Sequence, residues 1–136
     1  MQKRSWSTAK IKLFKLDYNS VIEELKEYAR KALEKGAYAV ILIGSLARGD
    51  YTAFSDADLV IIVSQASRKP IERIKDYLDP SLSIDIEPRI YTVDELLRMA
   101  KEKRRIVREI LEHGILLAGN DDILKMIKGL YEKQRI

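Results

Sequence analysis

Two uninterrupted apolar runs constrain this chain more than any other feature. Residues 37–43 read Ala-Tyr-Ala-Val-Ile-Leu-Ile, and residues 58–63 read Asp-Leu-Val-Ile-Ile-Val. Both are rich in Val and Ile, lack polar alternation and are far too short to cross a bilayer, so they predict strands buried on both faces. Gly44 ends the first run, and a polar, glycine-containing connection leads to the second. Both strands are therefore expected at the centre of one sheet.

The remaining elements follow from periodicity and end signals. Ser20-Val21-Ile22-Glu23 has capping-box spacing, and Ile22, Leu25, Ala29, Ala32 and Leu33 then recur at helical spacing before Gly36 stops the helix. Pro70 suits the first turn of a second helix with the stripe Ile71, Ile74, Tyr77 and Leu78, ended by Asp79-Pro80. Residues 83–91 alternate in part, with Ile84 and Ile86 facing one way and Asp85 and Glu87 the other. Pro88 in that segment predicts an edge position or a bulge. Thr92-Val93-Asp94-Glu95 is a second capping box. Its stripe of Leu96, Leu97 and Ala100 is interrupted by Lys103-Arg104-Arg105 and resumes at Val107, Ile110 and Leu111, which fits one long helix or two short ones. Residues 115–118 predict a short strand, and Asn120 can cap a last helix with the stripe Ile123, Leu124, Ile127, Leu130 and Tyr131. Residues 1–17 alternate only partly among lysines and read as an edge strand or a loose arm. The order predicts an α/β (α+β) fold: one mixed sheet of about four to five strands with helices packed on it.

Composition narrows the chemistry. The 136 residues predict one domain, and 46% hydrophobic content is enough for a packed core. A net charge of +4 is mild and does not by itself mark a nucleic-acid binder. The basic start lacks an apolar signal core, so a cytoplasmic protein with no membrane association is expected. Cysteine is absent, which excludes disulfides and thiolate metal sites. Any metal must sit on oxygen ligands or on the single His113, and oxygen ligation points to Mg²⁺, Mn²⁺ or Ca²⁺.

The informative segment is residues 44–58. Asp56 and Asp58 sit at the start of a buried strand, two apart and so on the same side of it. Carboxylates so placed repel unless a cation lies between them, and the donor set suits Mg²⁺ or Mn²⁺. Gly44 allows close backbone approach, and the N–H groups of the turn with the Ser45 hydroxyl could hold phosphate oxygens. A short helix over residues 45–48 would favour anions further. Arg48 could neutralise phosphate or hold the loop by pairing with a carboxylate. A Gly-Ser pair after a strand is ordinarily a turn, and an Asp-x-Asp is ordinarily a solvated loop. Between two buried strands the combination is far more specific, offering a phosphate grip at one strand end and metal ligands at the next.

Gly44-Ser45, ten intervening residues and then Asp56-Ala57-Asp58 resembles the signature of the minimal nucleotidyltransferases of the DNA polymerase beta-like superfamily. The string GSLARGDYTAFSDADLVIIV carries the resemblance most strongly, and it extends over roughly residues 20–119. It implies a mixed sheet with helices on one side, and three acids holding two divalent ions, Mg²⁺ or Mn²⁺. The first two acids map onto Asp56 and Asp58. For the third, counting back from Tyr91-Thr92-Val93-Asp94-Glu95 favours Glu87, while Asp85 has the more usual residue type. The implied reaction moves a nucleoside monophosphate, AMP from ATP or the equivalent from another nucleoside triphosphate, to a hydroxyl. Gly44, Ser45 and Arg48 would hold the nucleotide. Minimal domains of this kind also resemble antitoxins that adenylylate a helical HEPN-type toxin, which makes such a protein an expected partner, alongside a second copy of the chain.

Other readings compete. A non-catalytic nucleotide- or partner-binding module of the same fold would share most of these residues. A sugar-nucleotide transferase would use Asp-x-Asp for Mn²⁺, but the Gly44-Ser45 element and the small size argue against it. His113 reads as a surface residue at a helix C-terminus, and the cation-rich run of residues 101–108 reads as a solvated helix face before it reads as an RNA or acidic-partner contact. Tyr51 and Phe54 suit either base stacking or loop packing. Trp6 has no assigned role.

Overall fold

The computed structural model describes residues 17–133, so the expected N-terminal arm or edge strand, Trp6 included, lies outside the described residues apart from Asp17. The first helix, α1 (Tyr18–Glu34), buries Val21, Leu25, Tyr28, Ala29 and Ala32, while Ile22 and Leu33 are partly buried beside them. It begins before the Ser20 capping box. Asp17 takes the cap position without a side-chain bond. The extra turn is held by tertiary contacts: Tyr18 stacks on Tyr51 with ring centroids 4.8 Å apart and donates its hydroxyl to the Leu46 carbonyl at 3.1 Å. Packing outweighs a local capping signal here.

The chain then forms β1 (Ala37–Ile43), the single-turn helix α2 (Ser45–Arg48), β2 (Ala57–Val63), α3 (Pro70–Lys75) and β3 (Ile86–Thr92). After these come α4 (Val93–Lys101), α5 (Arg105–His113), β4 (Ile115–Gly119) and α6 (Asp122–Lys133). The four strands make one mixed sheet in the order β3-β2-β1-β4, with the two apolar runs at its centre. β1 runs antiparallel to both β2 and β4, whereas β2 and β3 are parallel. Pro88 lies on β3, an edge strand among the described residues, where its missing N–H is tolerated.

Helices cover both faces of this sheet, not one face as the family resemblance implied. On one face Val40, Leu42, Leu59 and Ile61 pack with α1. On the other Ala39, Ile41, Ile43, Val60 and Ile62 pack with Leu96 and Ala100 of α4, Val107 and Ile110 of α5, and Ile123 and Ile127 of α6. The physical reason is in the sequence: strands apolar at consecutive positions expose apolar surface on both sides, and each side must be covered. Two further departures are local. The α3 stripe is shorter than its spacing suggested, because Ile71 and Leu78 are exposed while Tyr77 is buried and accepts a hydrogen bond from Tyr28 at its carbonyl. The third helical stretch is two helices, broken where Lys103 adopts a φ of 56°. The capping box that opens α4 forms in full: Glu95 N–H donates to Thr92 Oγ1 at 3.1 Å, and Thr92 N–H to Glu95 Oε1 at 2.9 Å. At α6, Asn120 Oδ1 accepts the Asp122 N–H at 3.0 Å. No helix among the described residues is long and apolar enough to cross a membrane.

Candidate active site

Register brings the acids to neighbouring strand tips. In the antiparallel pair Asp58 lies opposite Ile43, the residue before Gly44, and in the parallel pair it lies beside Glu87. By alternation Asp56 and Asp58 share the face of Val60 and Ile62, the one covered by α4, α5 and α6. The contact with the turn is intimate. A Cβ placed on Gly44 would meet Asp58 Oδ2 at 2.2 Å, so the carboxylate rests directly against the glycine backbone. Gly44 has φ +79° and ψ −160°, a conformation open essentially to glycine alone.

Asp56 leans the other way. Partial desolvation at the strand tip raises its carboxyl above the ordinary range, and the negative charges of Glu87 and Asp85 push it the same way. Asp56 is exposed by surface area, so the like charges matter more than burial. A hydrogen bond shared with Glu87 adds to the shift. Asp85 sits just before β3 and accepts the Ala57 N–H at its carbonyl, 2.8 Å away. The structure thus places Glu87 level with Asp58 and next to Asp56, and Asp85 one step further out. No ion pair joins Asp56, Asp58, Asp85 or Glu87 to a cation among the described residues.

These oxygens fit a hard divalent ion by chemistry and by the lack of a cationic partner. Their arrangement is pairwise: among the described residues no three His, Asp or Glu side chains converge enough to hold one metal ion. Asp58 sits against Gly44, while Asp56 shares a hydrogen bond with Glu87 despite their like charge, so the four carboxylates stay near one another at the strand tips.

The turn after β1 is built from hydroxyls and one distant carboxylate. Ser45 Oγ donates to Ser55 Oγ at 3.0 Å, and Ser55 Oγ accepts the Thr52 N–H at 2.8 Å, which pins the connection back onto the turn. Gly49, with φ +92°, ends α2 and donates its N–H to the Ser45 carbonyl at 2.9 Å. Of the two roles open to Arg48, pairing with carboxylates is the one present: Nη1 donates to Glu109 Oε2 at 2.7 Å and Nε to Asp50 Oδ2 at 3.4 Å. The same Glu109 oxygen accepts the Gly44 N–H at 3.0 Å. That amide, one of the expected phosphate donors, is therefore already engaged. Glu109 is the residue that sequence reasoning missed. It lies on α5, 65 residues beyond Gly44, and no local spacing marks it. Tyr51 packs on Tyr18, and Phe54 is exposed on the connection. His113 is exposed at the C-terminal end of α5.

Comparison with known proteins accords with the fold. A family model for the nucleotidyltransferase domain matches residues 22–117. None of the curated proteins matches the chain. Among solved structures, a chain from a toxin–antitoxin with AMP-PNP is similar at 18% identity and TM-score 0.57, over 79% of this chain and 87% of that one. A Sulfolobus solfataricus protein proposed to be a nucleotidyltransferase is similar at 13% identity and TM-score 0.53, over 78% and 86% of the two chains. At such identities the likeness speaks for the fold, whereas the family model covers most of the chain. The chain belongs to the nucleotidyltransferase domain family, an enzyme family of nucleotidyl transfer.

Proposed function

We propose that this protein transfers AMP from ATP to a hydroxyl of a partner protein, as the antitoxin of a HEPN/MNT-type pair. The observation that carries the proposal is the meeting of two strand tips, where the Asp58 carboxylate rests on Gly44 while Glu87 lies level with it on the next strand. A phosphate-holding turn and a set of oxygen ligands are then adjacent, as a metal-bound triphosphate requires. The toxin–antitoxin neighbour with AMP-PNP supports the choice of donor and the kind of partner.

Asp56, Asp58 and Glu87 would hold the divalent ions, Mg²⁺ or Mn²⁺, two per site, with Asp85 as the alternative third acid. When bound, such ions neutralise the triphosphate and favour the ionised acceptor hydroxyl. The chain's own groups do the rest. Ser45 Oγ turns from Ser55 to donate to a phosphate oxygen, and Arg48, keeping its bond to Glu109, exchanges Asp50 for a phosphate oxygen. The acceptor oxygen attacks the α-phosphorus, the bond to the bridging oxygen breaks, and pyrophosphate leaves. The hydroxyl proton passes to a carboxylate oxygen of Glu87.

A second reading, nucleotide or partner binding without transfer, draws on the pairwise arrangement of the acids. One experiment separates the two. The protein is incubated with α-labelled ATP, Mg²⁺ or Mn²⁺, and a lysate of its source cells, beside Asp58→Asn as a control. Transfer predicts a labelled protein band with the wild type and none with the variant. Nucleotide binding with no labelled macromolecule and no pyrophosphate release would favour the binding module.

A further inference from the structure

We propose that Glu109 is a positioning residue of the transfer site, holding the Gly44-Ser45 turn and Arg48 in place from α5. The proposal rests on the transferase reading above and extends the site to a helix that the motif does not include.

The geometry is specific. α5 buries Val107 and Ile110 against the sheet face that also carries Asp56 and Asp58, and this packing fixes the helix beside the end of β1. Glu109 is then placed so that a single oxygen, Oε2, takes both the Gly44 N–H at 3.0 Å and Arg48 Nη1 at 2.7 Å. Both bonds are charge-assisted, the stronger and more directional kind. The first orients the peptide between Ile43 and Gly44. That orientation sets which side of the glycine faces β2, and the side facing β2 is where the Asp58 carboxylate rests. Glu109 and Asp58 thus grip one glycine, the first through its N–H and the second through contact with its Cα. The second bond ties the last residue of α2 to α5, so both ends of that turn are held by the same carboxylate.

The surroundings single out this carboxylate. A recess of about 190 Å³ next to the turn is lined by Arg48, Arg105, Arg108, Glu109, Glu112 and His113. Arg105 and Arg108 make no ion pair among the described residues, and Glu112 approaches only His113, at 3.9 Å. Of the two acids in the recess, Glu109 alone reaches the turn. A water could satisfy the Gly44 N–H, but it would not hold the guanidinium at the same point.

Substitutions separate positioning from bulk stability. In Glu109→Gln the side-chain carbonyl can still accept from Gly44, whereas Glu109→Ala removes both bonds. Expected results for Glu109→Ala are a folded protein whose kcat falls at least tenfold, with Gly44 and Asp58 amide resonances displaced in ¹H–¹⁵N spectra. Glu109→Gln should restore kcat to within threefold of wild type while the Gly44 amide proton moves upfield, because a neutral acceptor is weaker. Equal losses in the two variants, or an Ala variant with unchanged kcat, would overturn the proposal. So would a fall in melting temperature with unchanged kinetics at low temperature. Should Glu109→Ala fail to fold, an unmoved Gly44 amide in Glu109→Gln would overturn it alone. The amide measurement needs no turnover, so it stands apart from the transferase reading. An inactive wild type would sink that reading, whereas a Gly44 amide indifferent to both substitutions would sink the role of Glu109.

Discussion

Gly44→Ala should damage this protein in a way that two contacts make calculable. At φ +79° and ψ −160° the backbone occupies a region that an alanine adopts at a cost of about 1–3 kcal/mol. The new methyl would also meet Asp58 Oδ2 at 2.2 Å and Asp58 Cβ at 3.2 Å. Rotation of the carboxylate relieves the first clash but forces a poor rotamer, costing about 1 kcal/mol more. The sum, roughly 2–4 kcal/mol, corresponds for a chain of this size to a fall in melting temperature of roughly 6–20 °C. The two parts separate in a double-mutant cycle followed by urea unfolding. In an Asp58→Ala background the oxygen is gone, so Gly44→Ala should cost about 1 kcal/mol less, leaving the backbone part and the 3.2 Å contact with the Cβ of residue 58. A loss below about 0.5 kcal/mol in the single variant, within the range of an unremarkable surface change, would refute the backbone assignment. Strict additivity in the cycle would refute the contact between the two strand tips.

Three further outcomes follow from the same structure. Arg73 donates to both carboxylate oxygens of Glu95, at 2.8 and 3.0 Å, and to the Ile90 carbonyl at 3.0 Å, so Arg73→Ala should cost about 2–3 kcal/mol in urea unfolding. The Arg73 hydrogen bonds, aided by those from Thr92, hold Glu95 below the ordinary glutamate value of 4.5; this stabilisation is present above that value and is lost as pH falls through the depressed one. Acid unfolding curves should therefore be steeper below pH 4.5 for wild type than for Arg73→Ala, and parallel curves would contradict the pairing. At the strand tips Asp56→Asn removes one of several like charges, so its melting temperature in EDTA should exceed that of wild type. Added MgCl₂ should raise the melting temperature of wild type and leave that of Asp56→Asn nearly unmoved; equal responses would exclude Asp56 as a ligand. Finally, Asp58→Asn should retain the fold, checked by circular dichroism, and lose transfer of labelled AMP by at least a hundredfold, whereas retained turnover would remove Asp58 from the chemistry.

What could be read from the residues was whatever is local. Seven apolar residues in a row predicted β1 as a doubly covered central strand, and β1 is that. The Thr92–Glu95 spacing predicted a capping box, and both of its bonds form. The pair Asp56 and Asp58 was visible because two acids stand at the head of an apolar run. Contacts across many residues were not legible. The start of α1 depends on Tyr18 meeting Tyr51 and the Leu46 carbonyl, and Ser20 could not announce that. Glu109 looks like any helix-face acid until α5 docks on the sheet beside β1. The exposure of Ile71 and Leu78 likewise depends on where α3 ends against its neighbours, which a stripe of spacings does not encode. Distance from the capping box favours Glu87 in the sequence, but the parallel register that sets it beside Asp58 is visible only in the sheet.

The charge distribution around the turn constrains how a nucleotide would arrive. Four carboxylates, Asp56, Asp58, Asp85 and Glu87, gather near the tips of β2 and β3 with no cationic partner among the described residues. The arginine of the neighbouring turn is already engaged by Glu109 and Asp50. A bare triphosphate carries the same sign as these acids and would be repelled. It gains a favourable place only in the company of cations that both parties can share. On the proposed reading the metal and the nucleotide would be thermodynamically coupled, each raising the affinity for the other. Nucleotide affinity measured by calorimetry should collapse in EDTA, and Asp56→Asn should bind the nucleotide with a weaker dependence on metal concentration. Equal affinity with and without divalent ions would mean that the acids do not face the triphosphate.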